Sequence, residues 1–243
     1  MPSSQPTPPA PGAEDDHVIS RAFLEAGGVD ALVARDAPLQ TLLTEEERQA
    51  SLLATLAIRP PGPAWVFAYG SLIWNPTVQV QERRLARVEG WHRSFCLSVR
   101  AGRGTADHPG LVLGLDAGGS CAGLAYRVDE ATLPSELALL WRREMVSGAY
   151  VPRWLEVLDP RGQAFGHALA FTMNTDCDQY AGQLPEEEVV HRLATACGAL
   201  GSAADYLYRT CEGLRGCGLT DTALETLATQ VRARQQNVNC AAS

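Results

Sequence analysis

Three places in the chain carry groups whose type and spacing could do chemistry. The first is Phe67-Ala68-Tyr69-Gly70-Ser71-Leu72-Ile73-Trp74. Trp65 to Tyr69 is a nearly continuous apolar run, fit for a buried strand, and it breaks at Gly70-Ser71. A strand ending this way turns backbone N–H groups outward, where they can hold a carboxylate or a carbonyl oxygen, and glycine lets a ligand approach closely. Many ordinary strands also end in Gly-Ser, so the segment alone decides nothing. Ser71 invites a nucleophile reading, but Tyr69-Gly70 before it and Leu72-Ile73 after it do not make a G-x-S-x-G elbow.

The second place is Glu144. Leu137, Leu140, Trp141 and Glu144 are spaced i, i+3, i+4, i+7, which puts a carboxylate on the apolar stripe of a helix. Burial there raises a carboxyl pKa, as a general acid/base at neutral pH requires. The plain alternative is a glutamate at a frayed helix end that bonds Arg142, Arg143 or Arg153, and the pattern leaves both readings open. The third place is a pair of tyrosines, Tyr150 and Tyr180, each with glycine nearby, for which ordinary packing is the default reading.

The elements that must position these groups follow from pattern. A T-x-x-E capping box at Thr44 and Glu47 opens a helix carrying Leu52, Leu53 and Leu56, and Arg59-Pro60-Pro61-Gly62-Pro63 stops it. Strands are expected at 91–98 and 111–115. Asp116-Ala117-Gly118-Gly119 is expected to turn the chain into a hairpin partner at 121–128. A helix is expected at 134–145. Strands at 151–158 and 163–172 flank the turn Asp159-Pro160-Arg161-Gly162, and helices starting near Pro185, Ser202 and Thr220 close the chain. Hairpin-joined strands followed by helices predict an α+β fold. The expected organisation is a disordered proline-rich tail at 1–16, a helical extension and linker at 17–63, the main domain at 64–236 and a short tail at 237–243.

Composition excludes several classes. A formal net charge of −8 argues against nucleic acid as the main partner. Arginines do cluster at Arg83, Arg84, Arg87, Arg93, Arg100 and Arg103, as a solvated face or as a positive rim for a small anionic substrate. Seven cysteines without a C-x-x-C pattern suggest reduced thiols in the cytoplasm, and five histidines without ligand spacing predict no metal site. Neither a phosphate loop nor a G-x-G-x-x-G fingerprint is present. The proline-rich start lacks the basic and apolar regions of a signal peptide. No stretch reaches the roughly 18 apolar residues a membrane span needs, so no membrane partner is expected.

Taken together, these blocks resemble the ChaC-type γ-glutamylcyclotransferases, enzymes specific for glutathione. Trp65 to Trp74 resembles that family's opening strand and Y-G-S-L turn. Arg103-Gly104-Thr105 and His108-Pro109-Gly110-Leu111 resemble the segment after it, and Gly123-Leu124-Ala125-Tyr126-Arg127 its G-x-A-Y-R strand. Arg143-Glu144 with Gly148-Ala149-Tyr150 resembles the stretch that holds the catalytic glutamate. Tyr180-Ala181-Gly182 and Ser202–Leu207 resemble its C-terminal helical region, and the helical extension before Trp65 is similar to the longer bacterial form. Met145-Val146-Ser147 lengthens the stretch between Glu144 and Gly148 relative to shorter members.

The resemblance implies a small mixed, partly closed β-barrel flanked by helices, with no cofactor. It implies that glutathione is the substrate and that its γ-glutamyl group cyclises to 5-oxoproline, releasing cysteinylglycine. Glu144 would then be the acid/base. Tyr69, Gly70, Ser71, Leu72, Ile73 and Tyr150 would bind the substrate. Three rivals stay open: a cyclotransferase for other γ-glutamyl amines or dipeptides, a non-catalytic binding or regulatory protein of the same fold, and a hydrolase using Ser71 or a cysteine. The oligomeric state is left open, a monomer being one reading.

Overall fold

Helix signals in the first third of the chain are realised as three helices. The structure, a computed structural model, describes residues 18–241, with side chains to residue 237. The expected tail at 1–16 lies outside the described residues, as do the side chains of the 237–243 tail beyond 237. In chain order the elements are α1 (Arg21–Glu25), α2 (Gly28–Asp36), α3 (Glu45–Ala57), β1 (Trp65–Ala68), a 3₁₀ turn (Ser71–Ile73), β2 (Glu82–Val99) and β3 (Gly110–Arg127). There follow α4 (Leu133–Glu144), β4 (Tyr150–Leu158), β5 (Ala164–Met173), α5 (Glu186–Thr195), the short pair β6 (Cys197–Gly198) and β7 (Gly201–Ser202), α6 (Ala203–Gly216) and α7 (Thr222–Ala241).

The capping box at α3 forms as expected. Thr44 Oγ1 accepts from the Glu47 N–H at 3.1 Å, and Glu47 Oε2 accepts from the Thr44 N–H at 2.8 Å. These two bonds satisfy donors that the first helical turn would leave unpaired. The hairpin turn after β4 also forms: Asp159 N donates to Gln163 O at 2.8 Å and Gly162 takes φ +81°.

Strands β1 to β5 close into a mixed barrel in the order β1-β3-β2-β4-β5. Closure rests on short ladders. β1 pairs parallel with β5 over Trp65↔Ala168 and Val66↔Leu169, and β2 meets β4 through Arg87↔Leu158. This is the α+β architecture the hairpin pattern predicts, with helices outside the barrel.

One expectation is corrected. Asp116-Ala117-Gly118-Gly119 does not turn the chain. β3 runs unbroken through it and pairs antiparallel with β2 from Glu82↔Arg127 to Val99↔Gly110. The register slips between Glu89 and Trp91, where Gly90 (φ +78°) faces Gly118 (φ +100°) and Gly119 (φ +67°). These glycines make a bulge that bends the ribbon, so that 18-residue strands can curl around a small barrel.

The core fills the barrel and the inner face of α4. Leu137, Leu140, Trp141, Phe67 and Phe171 are all almost fully buried, and Trp141 meets Phe171 edge-on at 5.3 Å. The N-terminal helices hold the outer side of α4. Arg21 brackets Glu136 with bonds of 2.8 and 2.9 Å, and the Gln79 N–H adds a third at 2.9 Å. Glu136 is 1% exposed. Burial alone would push its carboxyl up, but these bonds together hold it below the ordinary range. Trp141 Nε1 donates to Ser51 Oγ at 3.2 Å, and Trp154 Nε1 donates to Thr55 O at 2.9 Å.

A chain beginning at Trp65 is therefore expected to be damaged. It loses the buried Leu24 and Leu52, worth about 2 kcal/mol each, and strands Glu136 without its cation. A loss of about 4 kcal/mol lowers a thermal midpoint by about 10 °C in a chain of this size. An unchanged midpoint by differential scanning calorimetry would show that α1–α3 contribute nothing to stability.

Candidate active site

Most of the side chains singled out in the sequence line the same pair of cavities. β1 ends at Ala68, the backbone bends through Tyr69 and Gly70, and the 3₁₀ turn of Ser71–Ile73 follows. α4 runs back toward this turn and ends on Glu144, because Met145 leaves helical geometry and Gly148 takes φ +72°. The apolar stripe delivers Glu144 as its spacing predicts: Leu137 and Leu140 are fully buried, Trp141 nearly so, and Glu144 retains 14% side-chain exposure at the cavity surface.

Arg143 ties the helix end to the turn. Its Nε lies 2.9 Å from Glu144 Oε1, its Nη2 donates to Ser71 Oγ at 2.8 Å, and its Nη1 donates to Asn75 O at 2.6 Å. Of the three arginines named as alternative partners for Glu144, this one takes it. Burial pushes the Glu144 carboxyl above its ordinary range, against the pull of Arg143. Its place at the negative end of a helix dipole works in the same direction as burial.

Two spaces share Glu144 in their linings. An inner recess of about 20 Å³ is lined by Tyr69, Gly70, Ser71, Leu72, Leu113, Glu144, Tyr150, Phe171 and Tyr206. An outer basin of about 200 Å³ shares Ser71, Glu144, Tyr150 and Tyr206 with it. Of the expected site residues, Tyr69, Gly70, Ser71, Leu72, Tyr150 and Glu144 are thus brought together. Ile73 is not. Its N–H donates to Gly70 O, its carbonyl accepts from Tyr126 Oη at 3.1 Å, and its side chain lies against Gly213 of α6. Tyr180 bonds Asp116 Oδ2 at 2.8 Å and lines neither space, in keeping with its packing reading.

Three phenols surround the carboxyl. Tyr69 donates to Phe171 O at 2.8 Å and Tyr150 donates to Leu113 O at 3.3 Å. Burial pushes both well above the ordinary tyrosine range, and Tyr206 up to about 12. All three stay protonated at neutral pH and can act only as neutral hydrogen-bonding groups. Tyr206 was not singled out in the sequence. It sits on the buried face of α6 beside Ala203, Leu207 and Thr210, where an aromatic reads as core.

The arginine cluster divides. Arg100 and Arg103 line the outer basin. Arg83, Arg84 and Arg87 lie along the other half of β2, opposite Tyr126, Ala125 and Ala122, and Arg93 pairs with Asp221 in a separate cleft. The N-terminal extension reaches the basin too, through Ile19, Val33 and Gln40. Nothing in the local pattern of residues 19–40 marks them as site residues, since the contact is made only by the fold.

The arrangement disfavours a covalent nucleophile. Ser71 Oγ takes its bond from a guanidinium, which cannot act as a base. Cys96 is fully buried, and burial pushes its thiol up to about 12. Among the described residues no cluster of three potential metal ligands occurs, and no helix is long and apolar enough to cross a membrane. Ser71→Ala is expected to lower kcat/KM only about threefold to thirtyfold, by loosening Arg143 through one charged hydrogen bond. Complete loss of turnover with intact substrate binding would revive the nucleophile reading.

Comparison with known proteins bears on the same region. A family model described as ChaC-like protein matches residues 64–234. The glutathione-specific γ-glutamylcyclotransferase of Escherichia coli (strain K12) is 41% identical over 217 residues, covering 88% of this chain and 93% of that protein. The human glutathione-specific γ-glutamylcyclotransferase 1 is 31% identical over 162 residues, covering 65% of this chain and 72% of that one. A crystal structure of the yeast γ-glutamyl cyclotransferase specific to glutathione superposes with a TM-score of 0.65 at 20% identity, over 71% of this chain and 97% of that chain, and so shares the fold.

Proposed function

The chain belongs to the ChaC-like protein family, and from that membership we propose that it cleaves glutathione by intramolecular cyclisation, with Glu144 as the general acid/base. The observation that carries the residue assignment is the position of Glu144. It is a carboxyl with a raised pKa that lines both the recess and the basin.

Glutathione holds its own nucleophile. The α-amine of its γ-glutamyl residue attacks the γ-carbonyl of the same residue, a five-membered ring closes, and the amide to cysteine breaks. The products are 5-oxoproline and cysteinylglycine, and no water is consumed. Proximity is built into the substrate, so the enzyme's task is to fold the chain and move protons. The Glu144 carboxylate takes a proton from the ammonium, which frees the lone pair that attacks. It returns that proton to the departing cysteinyl nitrogen as the C–N bond breaks, and then carries the second proton that the new ring nitrogen must shed to the same amine. The lactam is then neutral, cysteinylglycine leaves as an ammonium, and a single group serves every transfer. Arg143 holds the carboxylate in place from behind. The Tyr69–Leu72 turn lines the recess, and the neutral phenols of Tyr150 and Tyr206 line it too. These donors suit the γ-glutamyl carboxylate and the oxyanion that develops during attack.

A product assay separates this reading from its rivals. Purified protein incubated with reduced glutathione is expected to yield equimolar 5-oxoproline and cysteinylglycine. It is expected to do so at the same rate with and without a chelator. Free glutamate in place of 5-oxoproline would identify a hydrolase, and no turnover of any γ-glutamyl compound would leave a binding protein.

A further inference from the structure

We propose that the outer basin is the subsite for the part of the substrate beyond the γ-glutamyl amide. The N-terminal segment 19–40 forms one wall, and Arg100 anchors a carboxylate at the substrate's far end. The inference rests on the cyclotransferase reading and adds to it the residues that select the leaving peptide.

The two spaces at Glu144 are unequal. The recess, at about 20 Å³, holds little more than one small polar group. With only one polar group of the γ-glutamyl end seated in the recess, the rest of the substrate, the leaving peptide included, must extend into the basin, whose lining shares Glu144, Ser71 and Tyr150 with the recess. Val33, Leu97, Val112 and Val146 make part of the basin apolar, a surface suited to a short thiol-bearing side chain. Segment 19–40 is fixed there at both ends. Asn75 Nδ2, in the turn after β1, donates to Ile19 O at 2.9 Å, and Leu43 N donates to Val146 O at 2.8 Å, two residues beyond Glu144. This wall lies outside residues 64–234, the part that matches the family model. The E. coli overlap of 217 residues is longer than the stretch from Ala64 to Ser243, so it runs back into this extension.

Charge points the same way. In a chain of net charge −8, the charged side chains lining the basin are Arg100, Arg103, Arg143 and Glu144. Arg143 is engaged with Glu144, Ser71 and Asn75, and Arg103 is buried against Asp205 and Ser202 O. Arg100 differs. It is 40% exposed, and its partner Asp178, at 3.2 Å, is 72% exposed. Such a water-facing pair is weak, and an arriving carboxylate can take its place on the guanidinium. A two-residue leaving peptide spans about 7 Å when extended, which separates its terminal carboxylate from the reacting carbon by the width of a small basin.

The test uses the full chain, two charge-altering variants and a substrate pair. Arg100→Gln removes the anchor. Gln40→Glu adds a carboxylate to the extension wall with almost no change of shape. The substrates are glutathione and its C-terminal glycinamide, which differ only in that terminal charge. Both variants are expected to raise KM for glutathione about tenfold, Arg100→Gln by losing one charged hydrogen bond and Gln40→Glu by like-charge repulsion of the terminal carboxylate, with kcat within about twofold. On the glycinamide, variant and wild-type KM should converge. If wild-type chain forms 5-oxoproline from glutathione but the variants leave its KM unchanged, or raise it equally for the glycinamide, the subsite assignment is wrong and the cyclotransferase reading stands. If wild-type chain forms 5-oxoproline from neither compound, both fall together.

Discussion

Glu144→Gln is expected to lower kcat by about a hundredfold to ten-thousandfold, the usual worth of a positioned acid/base. KM should change little, because the Tyr69–Leu72 turn and the Arg100 end of the basin are untouched. The amide keeps the shape, and its oxygen can still accept from Arg143 Nε, but it cannot take the proton of the substrate ammonium. The fold should survive. Burial outweighs Arg143 in setting the direction of the Glu144 shift, so a neutral amide at this position is not expected to lower the thermal midpoint. The sign of the pH dependence follows from the same shift. A carboxyl whose folded pKa lies above its unfolded value binds its proton more tightly in the folded state. It therefore withdraws stability as pH rises from the ordinary carboxylate range through the raised value. Activity runs the opposite way, since the base form is lost as pH falls through that raised value. The wild-type acid limb should accordingly lie above the ordinary glutamate range, and the residual activity of the variant should lack it. Retained kcat in Glu144→Gln would end the mechanism.

The second large effect is expected at Gly70. A Cβ placed there would stand 2.9 Å from Tyr206 Oη and 3.6 Å from Leu113 Cβ. Tyr206 cannot easily withdraw. Its ring is packed edge-on against Trp74 and Phe95, each at 6.2 Å, and it is 6% exposed. Its hydroxyl lies within reach of the backbone amides of Leu113 and Ser71. Gly70→Val must therefore push into the recess or displace the phenol, and either change spoils the space beside Glu144 that takes a polar group of the γ-glutamyl end. We expect kcat/KM to fall at least about a hundredfold, with an overpacking cost of about 1–3 kcal/mol in stability. Gly70→Ala, which adds the Cβ alone, should fall between wild type and Val. A folded Gly70→Val protein with normal kcat/KM would show that the recess takes no part in turnover.

The sequence carried the site better than it carried the sheet. The break after Tyr69 and the Leu137-Leu140-Trp141-Glu144 stripe are local signals, each visible within about eight residues, and both are realised. The long β2–β3 ribbon was hidden for a physical reason. Gly118-Gly119 has the composition of a turn, and only the register slip opposite Gly90 shows that positive φ is used there to bend a strand rather than reverse it. Tyr206 and the wall at 19–40 were hidden differently. Their parts in the site arise from contacts across more than a hundred residues or between separate helices, and no period in the local sequence encodes such contacts. Arg143 was legible as a neighbour of Glu144, but its bonds to Ser71 and Asn75 were not.

The bonds from Trp141 to Ser51 and from Trp154 to Thr55 place two indoles under α3. Tryptophan emission is sensitive to the polarity around the ring, so these two side chains make the seating of the extension optically visible in the unlabelled chain. If α1–α3 lift away while the barrel stays intact, both indoles meet water and their emission moves to longer wavelength, while far-ultraviolet ellipticity from the barrel strands persists. A red shift that precedes the loss of ellipticity during heating would separate undocking of the cover from melting of the domain beneath it.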